Sequence, residues 1–392
     1  MKPVPPLLRL LLVLPAVAAL VCGVLSGLAR LGLPVPDGIA RLVGVHGALM
    51  VGGFFGTVIA LERAVALGIH WPYMAPLLSG IAAVAMIVGA PPLWAPWLLC
   101  TAALIMSAAC ASVWLRQPVA HHAVLTIAGL LWLAGNLVWI IDGTVAAAVP
   151  LWAAFLLLTI AGERLELSRF MPTPPFARVA FAVIVIALLG GALGAAVFED
   201  AGLRLFAAAL LALAVWLLRF DIARHTIKAA GLTRYMAACL LSGYVWLGIA
   251  AMFGMAGAFQ TGATLRDAAL HALLLGFVLS MVFGHAPIIL PAVTTLQVQW
   301  HKGFYLPLVL LHLSLAVRVL AGLNEWFALR QYAAIGNAVA LTLFMLIVVT
   351  SLRRRRPRPP TSAALEIVAN AQLSPHTQTH SRGHELSGDQ HS

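Results

Sequence analysis

Charge is what this 392-residue sequence has least of. Charged residues make up 9%, with 13 Asp plus Glu against 24 Lys plus Arg, while 62% of residues are hydrophobic. A soluble domain carries about a quarter charged residues, so a water-covered globular enzyme is excluded. Cysteine is scarce too. Cys22, Cys100, Cys110 and Cys239 lie inside apolar runs and form no CxxC pair, which removes a disulfide frame and a zinc ribbon and leaves reduced packing residues. No Gly-rich phosphate loop, nucleophile elbow or HExxH motif occurs. The net charge of +11 does not indicate a nucleic-acid partner. Much of it is one run, Arg353 to Arg356 plus Arg358, which suits an anionic membrane face.

What the sequence has in quantity is apolar runs of about 20 residues, the length that crosses a bilayer as helix. Breaks at charges, prolines and glycines predict an all-α polytopic membrane protein of about twelve helices. The approximate spans are 7–29, 40–66, 72–90, 93–115, 122–141, 149–167, 177–197, 203–219, 233–256, 267–293, 304–322 and 331–352. In lipid each span must satisfy its own backbone, which selects helices. Lys2 and Arg9 ahead of an apolar run resemble a signal peptide. Val21 spoils the small-residue cleavage pattern and the run continues, so a first spanning helix is the reading. Residues 1–352 form the transmembrane domain. Residues 353–392, rich in Arg, Pro, Ser, Gln and His, have little to bury and read as a disordered cytoplasmic tail.

Basic residues orient the chain. With the N-terminus inside, the inner loops hold Arg63, Arg116, Arg164, Arg169, Arg178, Arg219, Arg224, Lys228, Arg234 and Lys302. The outer loops hold Arg30, Arg41, Arg204, Arg266, Arg318 and Arg330. The positive-inside rule then places both termini in the cytoplasm of a cell (inner) membrane. A weak repeat is also visible. Helix two ends in Thr57-Val58-Ile59-Ala60-Leu61-Glu62-Arg63, and helix six in Thr159-Ile160-Ala161-Gly162-Glu163-Arg164. Helix ten has Phe283-Gly284-His285 at comparable depth. The four-helix spacing suggests a threefold repeat with helices two, six and ten equivalent, against chance likeness among apolar helices.

Ionisable groups inside a bilayer are costly and are functional candidates by default. His46 and His271 each lie five residues after the arginine that opens their helix, Arg41 and Arg266. Both helices run the same way, so both imidazoles sit about 7–8 Å below the outer boundary. Two histidines at one depth on separate helices fit the axial positions of one haem iron, and the arginines fit its propionates. The competing reading is that each histidine only bonds a neighbouring helix, and that Gly52 with Gly56 is an ordinary packing pair. A second set lies toward the other face. His285 is about 21 Å deeper than His271, followed by Pro287 and Pro291, which should break or kink the helix. Glu62, Glu163, the pair His121-His122, and His312 accompany it. They could bind a copper-like ion, with His285 and His312 the best candidates, or pass protons. The plainer alternative is interfacial ion pairs and solvated histidines. His376, His380 and His384 in the tail share a spacing of four, read as adventitious binding at most. The 11 Trp read as belt and packing residues.

The helix count, the early His46-xxx-Met50 followed by a Gly/Phe run, and the late His271-Ala272-Leu273 resemble the NnrS family. That family comprises haem- and copper-containing membrane proteins associated with nitric oxide metabolism. The layout is also similar to the catalytic subunit of haem–copper oxidases and nitric oxide reductases, in which histidines on helices two and ten hold the low-spin haem. The resemblance implies haem held by His46 and His271, with copper as a further cofactor. It departs where those proteins carry a second histidine, since Leu273 and Ala48 stand there, and helices six and seven carry no histidine. It therefore implies a haem protein for electron transfer or gas-ligand handling, with a redox partner and membrane lipid as partners, and no binuclear reducing centre. The alternative is a secondary transporter with a polar site formed by Glu62, Glu163 and His285.

Overall fold

The computed structural model describes residues 4–168, 171, 174–294 and 296–354. Residues 355–392 of the expected tail, including its three histidines, lie outside these residues, as do Arg169 and the last three arginines of the terminal run.

Among the described residues, twelve helices are long and apolar enough to cross a membrane: α1 Pro6–Arg30, α2 Val43–Leu67, α3 Trp71–Val88, α4 Trp94–Arg116, α5 Ala120–Asp142, α6 Val145–Ser168, α7 Pro175–Gly194, α8 Glu199–Phe220, α9 Gly231–Met255, α10 Arg266–Val293, α11 Lys302–Leu323 and α12 Phe327–Thr350. The twelve predicted spans are all present, shifted at their ends by a few residues. Apolar side chains such as Ile141, Val197 and Val183 stay exposed around the bundle. That is the pattern of a surface that meets lipid rather than water.

The connections are short because helix ends turn sharply. Gly143 sits at φ +77, a left-handed conformation that costs glycine nothing. It ends α5 and lets Val145 open α6 after only two residues. In chain order each helix therefore packs beside the next through most of the bundle, and α2, α6 and α10 also touch one another across it. The three helices whose ends resemble each other in sequence thus meet in space. α6 and α10 bury the largest shares of their spans.

With no hydrophobic drive between helices in lipid, polar contacts and close packing fix their positions, each interhelical bond contributing about 0.6–2 kcal/mol. Thr57 Oγ1 donates to Ser79 Oγ (3.0 Å), which donates to the Gly52 carbonyl (2.8 Å), tying α2 to α3. Trp152 Nε1 donates to Asn136 Oδ1 (3.0 Å) between α6 and α5. Asn337 Nδ2 donates to Ser314 Oγ (2.7 Å) between α12 and α11.

Three features differ from expectation. Pro287 and Pro291 do not end α10, which continues as α-helix from Ser280 to Val293; neighbouring helices allow a proline to stay within a membrane helix. The departure from α-helix comes earlier, as π-helix over Leu49–Gly56 in α2 and Ala272–Leu279 in α10. Lastly, helix stops at Thr350. Leu352–Arg354 then form a short strand antiparallel to Leu296–Val298 of the α10–α11 connection, which absorbs backbone groups that neither segment could satisfy alone.

Candidate functional site

The two π segments begin just after His46 and His271. A π-turn widens a helix by one residue and occurs frequently at functional sites. Here it re-aims the residues that follow each histidine. Both imidazoles line a single cavity of about 960 Å³ at one end of the bundle, and the two rings are electrostatic neighbours. Arg41 and Arg266 line it as well, so the structure brings together all four residues singled out on α2 and α10 or at their starts. Its walls are largely apolar, with Met50, Phe55, Leu274 and Leu279 among them.

The tautomer of each histidine follows from its partner. His46 Nδ1 lies 2.7 Å from the Gly23 carbonyl, and His271 Nδ1 lies 2.8 Å from the Asp267 carbonyl. A carbonyl can only accept, so both Nδ1 atoms carry a proton, and in the neutral imidazole this leaves the Nε2 lone pair free to bind a metal. That is the state a metal-ligating imidazole requires, oriented by its other nitrogen. His271 has a carboxylate as well, with Asp267 Oδ1 3.2 Å from the same Nδ1. Arg318 fixes that carboxylate in turn, donating from Nε (2.9 Å) and Nη2 (2.8 Å) to its two oxygens.

His46 is seated by α1. Gly23 supplies the carbonyl. Gly27 supplies clearance, because a Cβ there would stand 2.8 Å from His46 Cε1. Sequence reasoning missed this seat, although Gly23-x-x-x-Gly27 is a recognisable close-packing pattern. It also missed Asp267, whose spacing of four before His271 is readable on a helix. Arg318, placed in an outer loop from sequence, is instead inside α11 and buried. Apolar residues on both sides of it are the signal.

The arginines at the cavity are partly committed to backbone. Arg41 Nη2 donates to the Ile87 carbonyl (2.6 Å) and Nε to the Gly38 carbonyl (3.1 Å). Arg266 Nη1 donates to the Phe259 carbonyl (2.8 Å), and Arg30 Nη1 to the Val43 carbonyl (3.2 Å). These bonds hold the guanidinium groups at the mouth. With Arg318 neutralised by Asp267 and Arg266 facing Glu199, Arg30 and Arg41 leave the mouth positive, suited to carboxylate groups of a ligand.

The chain belongs to a family of unknown function. The matching family model, domain of unknown function DUF8744, covers residues 9–353, and with them nearly the whole described bundle. Curated proteins give no match to the chain.

The remaining candidates separate from this cavity. His312 on α11 accepts at Nδ1 from Trp246 Nε1 (2.9 Å), so its Nε2 carries the proton toward Ser242 Oγ (2.9 Å). Both nitrogens are engaged, and the ring serves as a polar tie between α9 and α11. His285 faces Arg164 at the opposite end of the bundle from the cavity. His122 also lies at that end, in a pocket with Arg63 and Arg116. Among the described residues, no group of three or more His, Cys, Asp or Glu side chains is placed to hold a metal ion. Glu62 and Glu163 do not form separate pairs with their own neighbours. Arg63 Nη2 bonds Glu163 Oε1 on α6 at 2.5 Å as well as Glu62 Oε1 at 3.1 Å.

Proposed function

We propose that this protein binds one haem in the cavity between α2 and α10, with His46 and His271 as axial ligands, and that it serves electron transfer or the handling of nitric oxide or a similar gas. The observation that carries the reading is the pair of free Nε2 atoms on two rings that line one cavity. The residues fit the group in three respects. The volume lies at the upper end of the range of small-molecule and cofactor sites, roughly 300–1,000 Å³. The walls are apolar and the mouth is cationic, matching a flat apolar ring with carboxylate arms. The Asp267–Arg318 pair holds His271 by its Nδ1, leaving Nε2 turned to the ligating role. Bound there, haem would supply a one-electron redox centre whose potential the axial ligands tune.

This reading keeps the NnrS-like assignment. A copper site at His285 and His312 is dropped, because the two rings are engaged in separate hydrogen bonds. It also keeps the cytoplasmic placement of both termini in the cell membrane, supported by the distribution of Lys and Arg. An absorption spectrum with metal analysis of detergent-purified protein from haem-replete cells tests it. A Soret band that His46→Ala or His271→Ala abolishes is expected, and colourless, metal-free protein overturns the proposal.

A second reading, a secondary transporter, is favoured by one observation: Glu62, Glu163 and His285 gather at the contact of α2, α6 and α10. Haem-independent solute flux in proteoliposomes that fails in Glu62→Gln would support it.

A further inference from the structure

At the end of the bundle away from the cavity, charged side chains are bonded in series across three helices. Arg63 of α2 bonds Glu163 of α6 (2.5 Å), and Arg164 of α6 donates to His285 Nε2 of α10 (2.9 Å). Glu62 of α2 and His285 complete the ring as electrostatic neighbours. The state of His285 follows from its two partners. Nδ1 lies 2.6 Å from the Met281 carbonyl, an obligate acceptor, and Nε2 faces a guanidinium, an obligate donor. His285 is therefore neutral and cannot take up a proton without losing Arg164.

The charges can then be assigned locally. Arg164, buried, has Asp221 as its anionic neighbour; that carboxylate is also buried and interacts with the Tyr244 hydroxyl. Arg63 alone serves two carboxylates. The other groups near the Arg63 guanidinium are the Cys110 thiol of α4 and Glu166 of α6. Glu166 lines a pocket together with Arg116 of α4 and His122 of α5. Glu62, Glu163 and Arg63 together thus carry one uncompensated negative charge when both acids are ionised. Two carboxylates held that close in low dielectric cannot both stay ionised at ordinary cost, and one proton shared between them removes the imbalance.

Access is present. The pocket beside Arg63 and Glu166 measures about 370 Å³ and reaches Arg116, Gln117 and His122 at the end of the bundle. On the same helix as His285, Leu279 lines the haem-sized cavity, about 9 Å away by helical rise.

We infer that the Glu62–Arg63–Glu163 cluster is a binding site for one exchangeable proton, reached from water through the pocket beside Arg63 and Glu166. The site stands whatever fills the cavity at the other end. Infrared spectroscopy of the purified full-length protein in lipid tests it directly. At neutral pH the wild type should show a carboxylic-acid C=O stretch that shifts on exchange into D2O and disappears in strong alkali. Removing either acid leaves one carboxylate with one guanidinium, a balanced pair. Both Glu62→Gln and Glu163→Gln should therefore abolish the band, rather than one removing it and the other leaving it. Asp200→Asn, at an exposed pair with Arg204, should leave it in place. Absence of the band in wild type overturns the inference without any variant needing to fold. A band that survives both glutamine substitutions, or that is lost only in Asp221→Asn, overturns it equally.

Discussion

The bond between Asp267 and Arg318 ties α10 to α11 at the wall of the cavity, and removing its acid should be among the costliest single changes in the bundle. The Arg318 side chain is 7% exposed and meets both carboxylate oxygens. Asp267→Asn preserves volume yet leaves a buried guanidinium with no counter-charge. The loss of an interhelical hydrogen bond in a membrane is worth about 0.6–2 kcal/mol. Stranding one member of a buried ion pair costs about 3–5 kcal/mol. The second effect should dominate, because Arg318 cannot deprotonate and has no other anion beside it in the cavity wall. Arg318→Gln is expected to cost less, since Asp267 keeps the Nδ1–H of His271 as a donor. The double variant removes both charges and should recover part of the loss, with a coupling of roughly 2–3 kcal/mol. Unfolding from lipid–detergent micelles on added dodecyl sulfate, followed by tryptophan fluorescence, provides the cycle. Additive single effects, or an Asp267→Asn cost below about 0.5 kcal/mol, would refute a buried bidentate pair.

Two further outcomes follow from the same geometry. Gly27→Ala places a methyl 2.8 Å from His46 Cε1, so the ring must leave the Gly23 carbonyl; stability should fall by about 1–3 kcal/mol and the affinity for added ferric haem should drop, whereas Gly248→Ala on α9, where a methyl would meet only Ala214 Cβ at an ordinary 4.0 Å, should change neither in the same titration. His312→Ala strands Trp246 Nε1–H, while Ser242 keeps its bond to the Ala238 carbonyl, and should cost about 1–3 kcal/mol with haem content unchanged; loss of metal from that variant would make His312 a ligand.

The fold was largely legible because lipid imposes a simple requirement. A span must be apolar for about 20 residues, and this sequence marks each end with charge, proline or glycine. His46 and His271 were legible for the same reason, as rare ionisable groups at equal offsets from Arg41 and Arg266. What could not be read was side-chain direction. The π segments after each histidine rotate the helix face by an amount that no periodicity of 3.6 residues reports. The seat made by Gly23 and Gly27 belongs to α1, whose packing against α2 the sequence does not state. Charge usually marks a boundary, which points Arg318 to a loop; its burial depends on Asp267, fifty-one residues away in the chain. Glu62 and Glu163 looked like local pairs with adjacent arginines, and only the contact of α2 with α6 turns them into one cluster. Proline misled in the opposite direction, since α10 accommodates Pro287 and Pro291 within a helix that continues to Val293.

The central claim, two imidazoles on one iron, is tested most directly by low-temperature electron paramagnetic resonance of the oxidised, purified protein. Wild type should give a low-spin ferric haem signal of the bis-histidine kind, and His46→Ala and His271→Ala should each eliminate it. A wild type without haem, or a low-spin signal left unchanged by either substitution, would contradict the account.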